Sequence, residues 1–284
     1  MIKMRLRKII YIIIGYKYTM VKKETLNSLI NLLLAILVIV LIFIILFAYS
    51  DIWPPVVVVE SGSMQHGNQW QYGVINTGDI VIVQKVSKIS NIITYLQGRE
   101  TGYQTYGDYG NVIIYTAPDG ESIIHRAMFY VTWNKTTPEI IGENNAKNFL
   151  IVYGDDVIIK DVGYSHRNLL VDLTSYVRHS GFITMGDHNL ALAPSSTFLG
   201  YQVYEAADEN VGISSSLVTM NMIEGMAKCW LPWFGDIKLI ASGNTMIPSY
   251  SILFLIISLI IIFSIPIIYD FTEAYIQKLR ELKK

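Results

Sequence analysis

A single cysteine, Cys229, in 284 residues closes off several classes of protein. It cannot form an internal disulfide, and it leaves no cysteine cluster for zinc or an iron–sulfur centre. Standing alone, it reads as a small buried hydrophobe. A strong charge of either sign is missing as well. The formal net charge is −1, with 22 Lys and Arg against 23 Asp and Glu, whereas a nucleic-acid binder carries a clear basic excess. There is no glycine-rich phosphate loop, no His-x-x-x-His metal spacing and no internal repeat. Neither a metal nor another cofactor is therefore expected. Histidine is scarce, so acid–base chemistry near neutral pH falls to five residues: His66, His125, His166, His179 and His188.

Long apolar runs, by contrast, are present. Residues 29–48 are nearly all Leu, Ile, Val, Phe and Ala, broken by Asn31. About 20 such residues cover the ~30 Å hydrocarbon core of a bilayer. A cleaved signal peptide is the competing reading, with Ala48–Tyr49–Ser50 as a small-x-small site. The run exceeds a usual h-region of about 7–15 residues, which favours a retained anchor. Residues 249–269 form a second run of spanning length, with Pro266 near its end. A buried core helix is the alternative there. Residues 1–24 hold seven Lys and Arg (Lys3, Arg5, Arg7, Lys8, Lys17, Lys22 and Lys23) against Glu24, and residues 270–284 include Lys278, Arg280, Lys283 and Lys284. The positive-inside rule then puts both termini in the cytoplasm. Five segments follow: a basic stretch 1–27, a span 28–50, an extracytoplasmic domain 51–248, a span 249–269 and a tail 270–284.

The middle segment carries the turns and alternating patterns. Its many short strand-like runs between Gly, Pro and Asn turns predict a mainly β domain. Gly78–Asp79 reads as a turn feeding the strand Ile80–Val83. Residues 91–110 read as a polar loop. Val112–Tyr115 and residues 122–131, joined by the turn Pro118–Asp119–Gly120, form a hairpin-like pair. Phe182–Met185 is a short strand leading into Gly186–Asp187. Residues 142–181 show no clear pattern. Asn134–Lys135–Thr136 matches a glycosylation sequon.

Val56–Val57–Val58–Val59–Glu60–Ser61–Gly62–Ser63–Met64 organises this domain. Four β-branched residues predict a buried strand, and the turn that follows presents Ser63 just past the first apolar run. A serine hydroxyl becomes nucleophilic when a base takes its proton. An acid must then orient that base. His125, inside the apolar run Ile123–Ile124–His125, is the best-placed base, although a satisfied core histidine explains the same pattern. His66, in a Gln/Gly/Asn loop, reads as solvated, and His188 as a partner of the adjacent Asp187. Asp187, Asp208 and Asp79 are candidate acids, each also readable as a turn or loop aspartate. By these residues alone the chain is a membrane-anchored β domain that could be a serine hydrolase.

Four boxes in order raise the specificity. Glu60–Ser61–Gly62–Ser63–Met64, Gly78–Asp79–Ile80–Val81, Ile124–His125–Arg126 and Gly186–Asp187–His188–Asn189 together resemble type I signal peptidases, closest to the archaeal kind and the eukaryotic endoplasmic-reticulum catalytic subunit. Trp230–Leu231–Pro232–Trp233–Phe234–Gly235 resembles the segment closing that domain. The resemblance covers roughly residues 54–239. It implies a membrane-bound serine endopeptidase that removes signal peptides from exported preproteins at small-x-small sites. Ser63 would be the nucleophile, His125 the base, and Ser61 with the Ser63 N–H the oxyanion hole. Preproteins, the bilayer and the protein translocation channel would be its partners, with no nucleic acid. Two departures stand out. His66 occupies a position where the family usually has proline. The family's second aspartate, shortly after Gly-Asp, is replaced by Ala191–Leu192–Ala193–Pro194. If residues 189–207 contain an insertion, Asp208 is the matching acid and Asp187 a supporting residue. The missing near aspartate motivates one alternative, an inactive tethered relative that binds preproteins. Another is a different serine peptidase of the same clan.

Overall fold

The computed structural model describes residues 26, 28–142, 146–244 and 247–282. The basic residues of 1–24, and Lys283 and Lys284, lie outside this set, while Lys278 and Arg280 lie within it. The chain divides into two compact units, Met1–Asp51 and Ile52–Lys284.

The first unit contains the helix α1 (Ser28–Ser50), 23 residues long. At 1.5 Å per residue it measures about 34 Å, enough to cross a bilayer. Its Leu, Ile and Val side chains are exposed all round, an unfavourable surface in water.

The second unit is mostly β. β1 (Val56–Val58) and β2 (Ile80–Gln84) come first. The helix α2 (Tyr95–Thr101) and the two-residue strands β3 (Gln104–Thr105) and β4 (Asp108–Tyr109) follow. β5 (Val112–Thr116), β6 (Ser122–Asn134) and β7 (Thr137–Ile140) form a meander. Next come β8 (Leu150–Tyr153), β9 (Asp156–Val162), β10 (Arg167–Asp172) and β11 (Gly181–Met185). After a one-turn helix, α3 (Asn189–Leu192), the chain adds β12 (Ser195–Phe198), β13 (Tyr201–Glu205) and β14 (Ile223–Leu231). It ends in α4 (Asp236–Ser242) and α5 (Ser249–Leu282).

A seven-stranded sheet runs β1-β2-β14-β5-β6-β11, with β7 on the far part of β6. A five-stranded sheet runs β12-β13-β10-β9-β8. The largest core lies between the two, where Met128, Phe129, Val131, Ile183 and Met185 meet Val157, Ile159, Leu169 and Val171. A second core, holding Val59, Met64, Val81, Val83, Val112 and Ile114, anchors the segment around Ser63. β6 is buried on both faces through its middle, so any polar side chain there must find an internal partner.

Four expectations change. Residues 91–110 are not simply a loop. Thr94 caps α2 by accepting from the Gln97 N–H while Gln97 accepts from the Thr94 N–H, a reciprocal box written in the sequence as Thr-x-x-Gln. Residues 142–181, unpatterned in sequence, supply β8, β9 and β10 of the second sheet. The final helix does not stop near 269 but continues to Leu282, and Pro266 stays inside it. Cys229 is exposed, not buried. Asn134 of the sequon is exposed at the β6–β7 turn.

Candidate active site

Ser63 leaves the Val56–Val59 segment on a short turn, held by the Gln65 N–H bonding the Gly62 carbonyl. His125 is on β6, where Ile113 of β5 is its cross-strand partner. Asp208 follows β13, and its N–H donates to the Thr184 carbonyl on β11 at 2.9 Å. The three side chains meet. His125 Nε2 lies 2.9 Å from Ser63 Oγ, and His125 Nδ1 lies 2.6 Å from Asp208 Oδ2. An ionised carboxylate only accepts, so the imidazole proton belongs on Nδ1. Nε2 is then left to accept from the Ser63 hydroxyl.

Asp208 is fully buried. Its Oδ2 also accepts from the Tyr115 hydroxyl at 2.8 Å and the Thr184 hydroxyl at 2.7 Å. The loop reading of Asp208 therefore gives way to a held carboxylate. The 189–207 segment separates Asp187 from Asp208 along the chain. It forms α3 and the β12–β13 hairpin, which joins the second sheet before the chain returns to Asp208.

Asp187 faces elsewhere. It takes Arg126 Nε at 2.8 Å and Nη2 at 2.6 Å, a two-pronged pair, plus His66 Nε2 at 3.1 Å. Burial opposes its ionisation, but Arg126 and then His66 prevail and hold its carboxyl at about 2. Arg126 is fully buried, and its Nη1 donates to the carbonyls of Thr105, Asp108, Tyr109 and Gly110. His66 is buried rather than solvated, and its ring stacks on Tyr164 at 4.7 Å. His188 does not pair with Asp187. Its Nδ1 meets the Tyr164 hydroxyl at 2.5 Å, while its N–H donates to the Ser63 carbonyl at 2.8 Å. Asp187 thus pairs with Arg126 and His66, and none of its side-chain hydrogen bonds among the described residues reaches Ser63 or His125.

Ser61 Oγ is 3.3 Å from Ser63 Oγ. Asp79 is buried, accepts from the Asn76 N–H, and is raised to about 6 by burial. His166 pairs with Asp161 at the surface, and the carbonyl of His179 accepts from the Trp133 indole; neither reaches the site. Sequence reading gave no role to Arg126, Tyr115, Thr184 or Glu209. One signal was available for Arg126: an arginine inside the apolar run of β6 cannot be buried unpaired.

A cleft of about 510 Å³ opens at Ser63, lined by Val57, Val58, Ser61, Ile124 and His125 among others. Two strand edges border it. Among the described residues, β1 pairs only with β2, and residues 122–125 of β6 pair only with β5, because the β11 ladder stops at Arg126. No group of three or more potential metal-ligating side chains occurs among the described residues. Compared with family models, with curated proteins and with solved structures, the chain gives no match.

Proposed function

We propose that this protein is a membrane-bound serine endopeptidase that removes signal peptides from exported preproteins, as the resemblance to type I signal peptidases implies. One observation carries the reading: Ser63, His125 and Asp208 stand in hydrogen-bond sequence, 2.9 Å and 2.6 Å apart. That is the geometry a serine nucleophile, its base and an orienting acid need.

In this reading a preprotein lays its cleavage region, extended, along the open edges of β1 and β6, adding a strand as peptides do at exposed sheet edges. Val57, Val58 and Ile124 give the cleft an apolar wall suited to small side chains. His125 takes the Ser63 proton as Ser63 Oγ attacks the scissile carbonyl. The imidazolium then protonates the leaving amine, and water, activated by the same imidazole, releases the acyl group. Ser61 Oγ and the Ser63 N–H would receive the oxyanion. One such donor contributes about 2.7–4 kcal/mol to the transition state.

The two apolar helices support a membrane setting, where enzyme and substrate share a surface and meet at raised effective concentration. Trp70, Trp233 and Phe254 cluster at the start of α5, and Ile237 and Ile240 of α4 are exposed. Trp is favoured at the bilayer interface. The charge rule puts the β domain outside and both termini in the cytoplasm; a plasma-membrane location and access to preproteins leaving the translocation channel follow from the resemblance. The inactive alternative rests on the missing near aspartate; the 2.6 Å contact between Asp208 Oδ2 and His125 Nδ1 supports the active reading. The test is cleavage of a preprotein by detergent-solubilised protein, with the product's new N-terminus sequenced. Cleavage after a small-x-small site, lost in Ser63→Ala, is expected. Equal product from Ser63→Ala would refute the proposal.

A further inference from the structure

We infer that Glu209 is a positioning residue for the triad, standing protonated at the head of a hydrogen-bond chain that runs Glu209–Thr184–Asp208–His125–Ser63. The inference rests on the proposed roles of Ser63, His125 and Asp208.

Thr184 of β11 lies between two carboxyl groups from consecutive residues. Its Oγ1 is 2.7 Å from Asp208 Oδ2 and 3.2 Å from Glu209 Oε1, and its N–H is 3.3 Å from both Glu209 carboxyl oxygens. A hydroxyl has one proton and cannot satisfy two carboxylates. Glu209 is buried, and none of the ion pairs among the described residues includes it. The groups around it are Asp208, Tyr115, Thr184 and Tyr176, whose hydroxyl donates to the Glu209 carbonyl. None is a cation. An ionised Glu209 would be a buried, uncompensated charge beside a second carboxylate, and burial followed by the Asp208 charge pushes its carboxyl well above the usual range.

A protonated Glu209 resolves the conflict. Its O–H donates to Thr184 Oγ1, and the Thr184 proton is then committed to Asp208 Oδ2. The Tyr115 hydroxyl and His125 Nδ1–H complete three donors on that one oxygen, while Asp208 Oδ1, equally buried, receives none among the described residues. The chain therefore turns the carboxylate so that Oδ2 faces His125. An ionised Glu209 would pull the Thr184 proton the other way and loosen the base.

Two measurements on the full-length protein in detergent test this. The first is the infrared difference spectrum of wild type against Glu209→Gln at about pH 8, where Asp79 and Asp108, each raised to about 6, are ionised. A carboxylic-acid C=O band present in wild type and missing from Glu209→Gln is expected; its absence overturns the inference whether or not the protein cleaves anything. The second is kinetics on a preprotein. Glu209→Gln, whose amide still donates to Thr184 Oγ1, should stay within about threefold of wild type. Glu209→Val and Thr184→Val should lose about tenfold or more in kcat with KM unchanged, and Thr184→Ser should recover it. Wild-type kcat in a folded Glu209→Val would overturn the inference. A fully active Ser63→Ala would instead overturn the triad, leaving the infrared band intact.

Discussion

Gly186 leaves the space that Ser63 occupies. A Cβ on Gly186 would lie 2.7 Å from the Ser63 carbonyl oxygen and 2.8 Å from His125 Nε2. Real Cβ contacts are not that short, so Gly186→Ala must push Ser63 and His125 apart. A displacement of about 1 Å at a reacting pair costs about a hundredfold in rate. Gly186→Ala is accordingly expected to lose about that much in kcat while folding normally, as read by preprotein cleavage and thermal unfolding. Wild-type turnover would mean that the turn yields without moving Ser63.

Asp187 and Asp208 should fail differently when changed to Asn. Asp187→Asn leaves the fully buried Arg126 guanidinium without its counter-charge, and breaking such a pair costs about 3–5 kcal/mol. Denaturant unfolding should show that loss. Asp208→Asn replaces the acceptor behind His125 and favours the wrong tautomer. Its expected signature is a fall in kcat of up to about 10⁴, with a smaller loss of stability. Reversed signatures would exchange the two roles.

These two residues also mark what the sequence could and could not convey. Ser63 and His125 were legible as candidates because their signals are local: a β-branched run ending in a Ser-Gly-Ser turn, and a histidine in an apolar strand. Asp208 was named only through the resemblance and an assumed insertion, because 83 residues separate it from His125 and a whole hairpin intervenes after Gly186–Asp187. His66 looked solvated in its Gln/Gly/Asn context. Only the fold brings Asp187 and Tyr164 to it from distant segments. Residues 142–181 hid their strands for a related reason. β8, β9 and β10 are short and buried against another sheet, so their pattern does not alternate cleanly. The cap of α2, in contrast, was written openly in Thr94 and Gln97.

Stability should follow pH through three buried aspartates. Asp187, held at about 2 against an ordinary 3.8, favours the folded state when ionised. Its contribution, roughly 2 kcal/mol, is present above about pH 4 and is lost as pH falls toward 2. Asp79 and Asp108 shift the other way, to about 6, chiefly through burial. The folded state binds their protons more tightly, so their cost is absent below about pH 4 and grows as pH rises to 6. Asp108→Asn removes one of these charges. Relative to wild type it should gain roughly 2–3 kcal/mol between pH 4 and pH 7 in chemical denaturation. A pH-independent difference would contradict this assignment.

Cys229 offers a check on β14. Its side chain is exposed in the folded chain, so a maleimide should label it stoichiometrically without denaturant. Protection until unfolding would place the strand face inward instead.

The central claim is that Ser63, His125 and Asp208 work as one unit, and the most direct measurement is kcat for Ser63→Ala, His125→Ala and the double variant on one preprotein. Residues that act together are strongly non-additive. Each single variant should lose nearly all activity, and the double should be no slower than either. A single variant at the wild-type rate, or losses that multiply in the double, would contradict the triad.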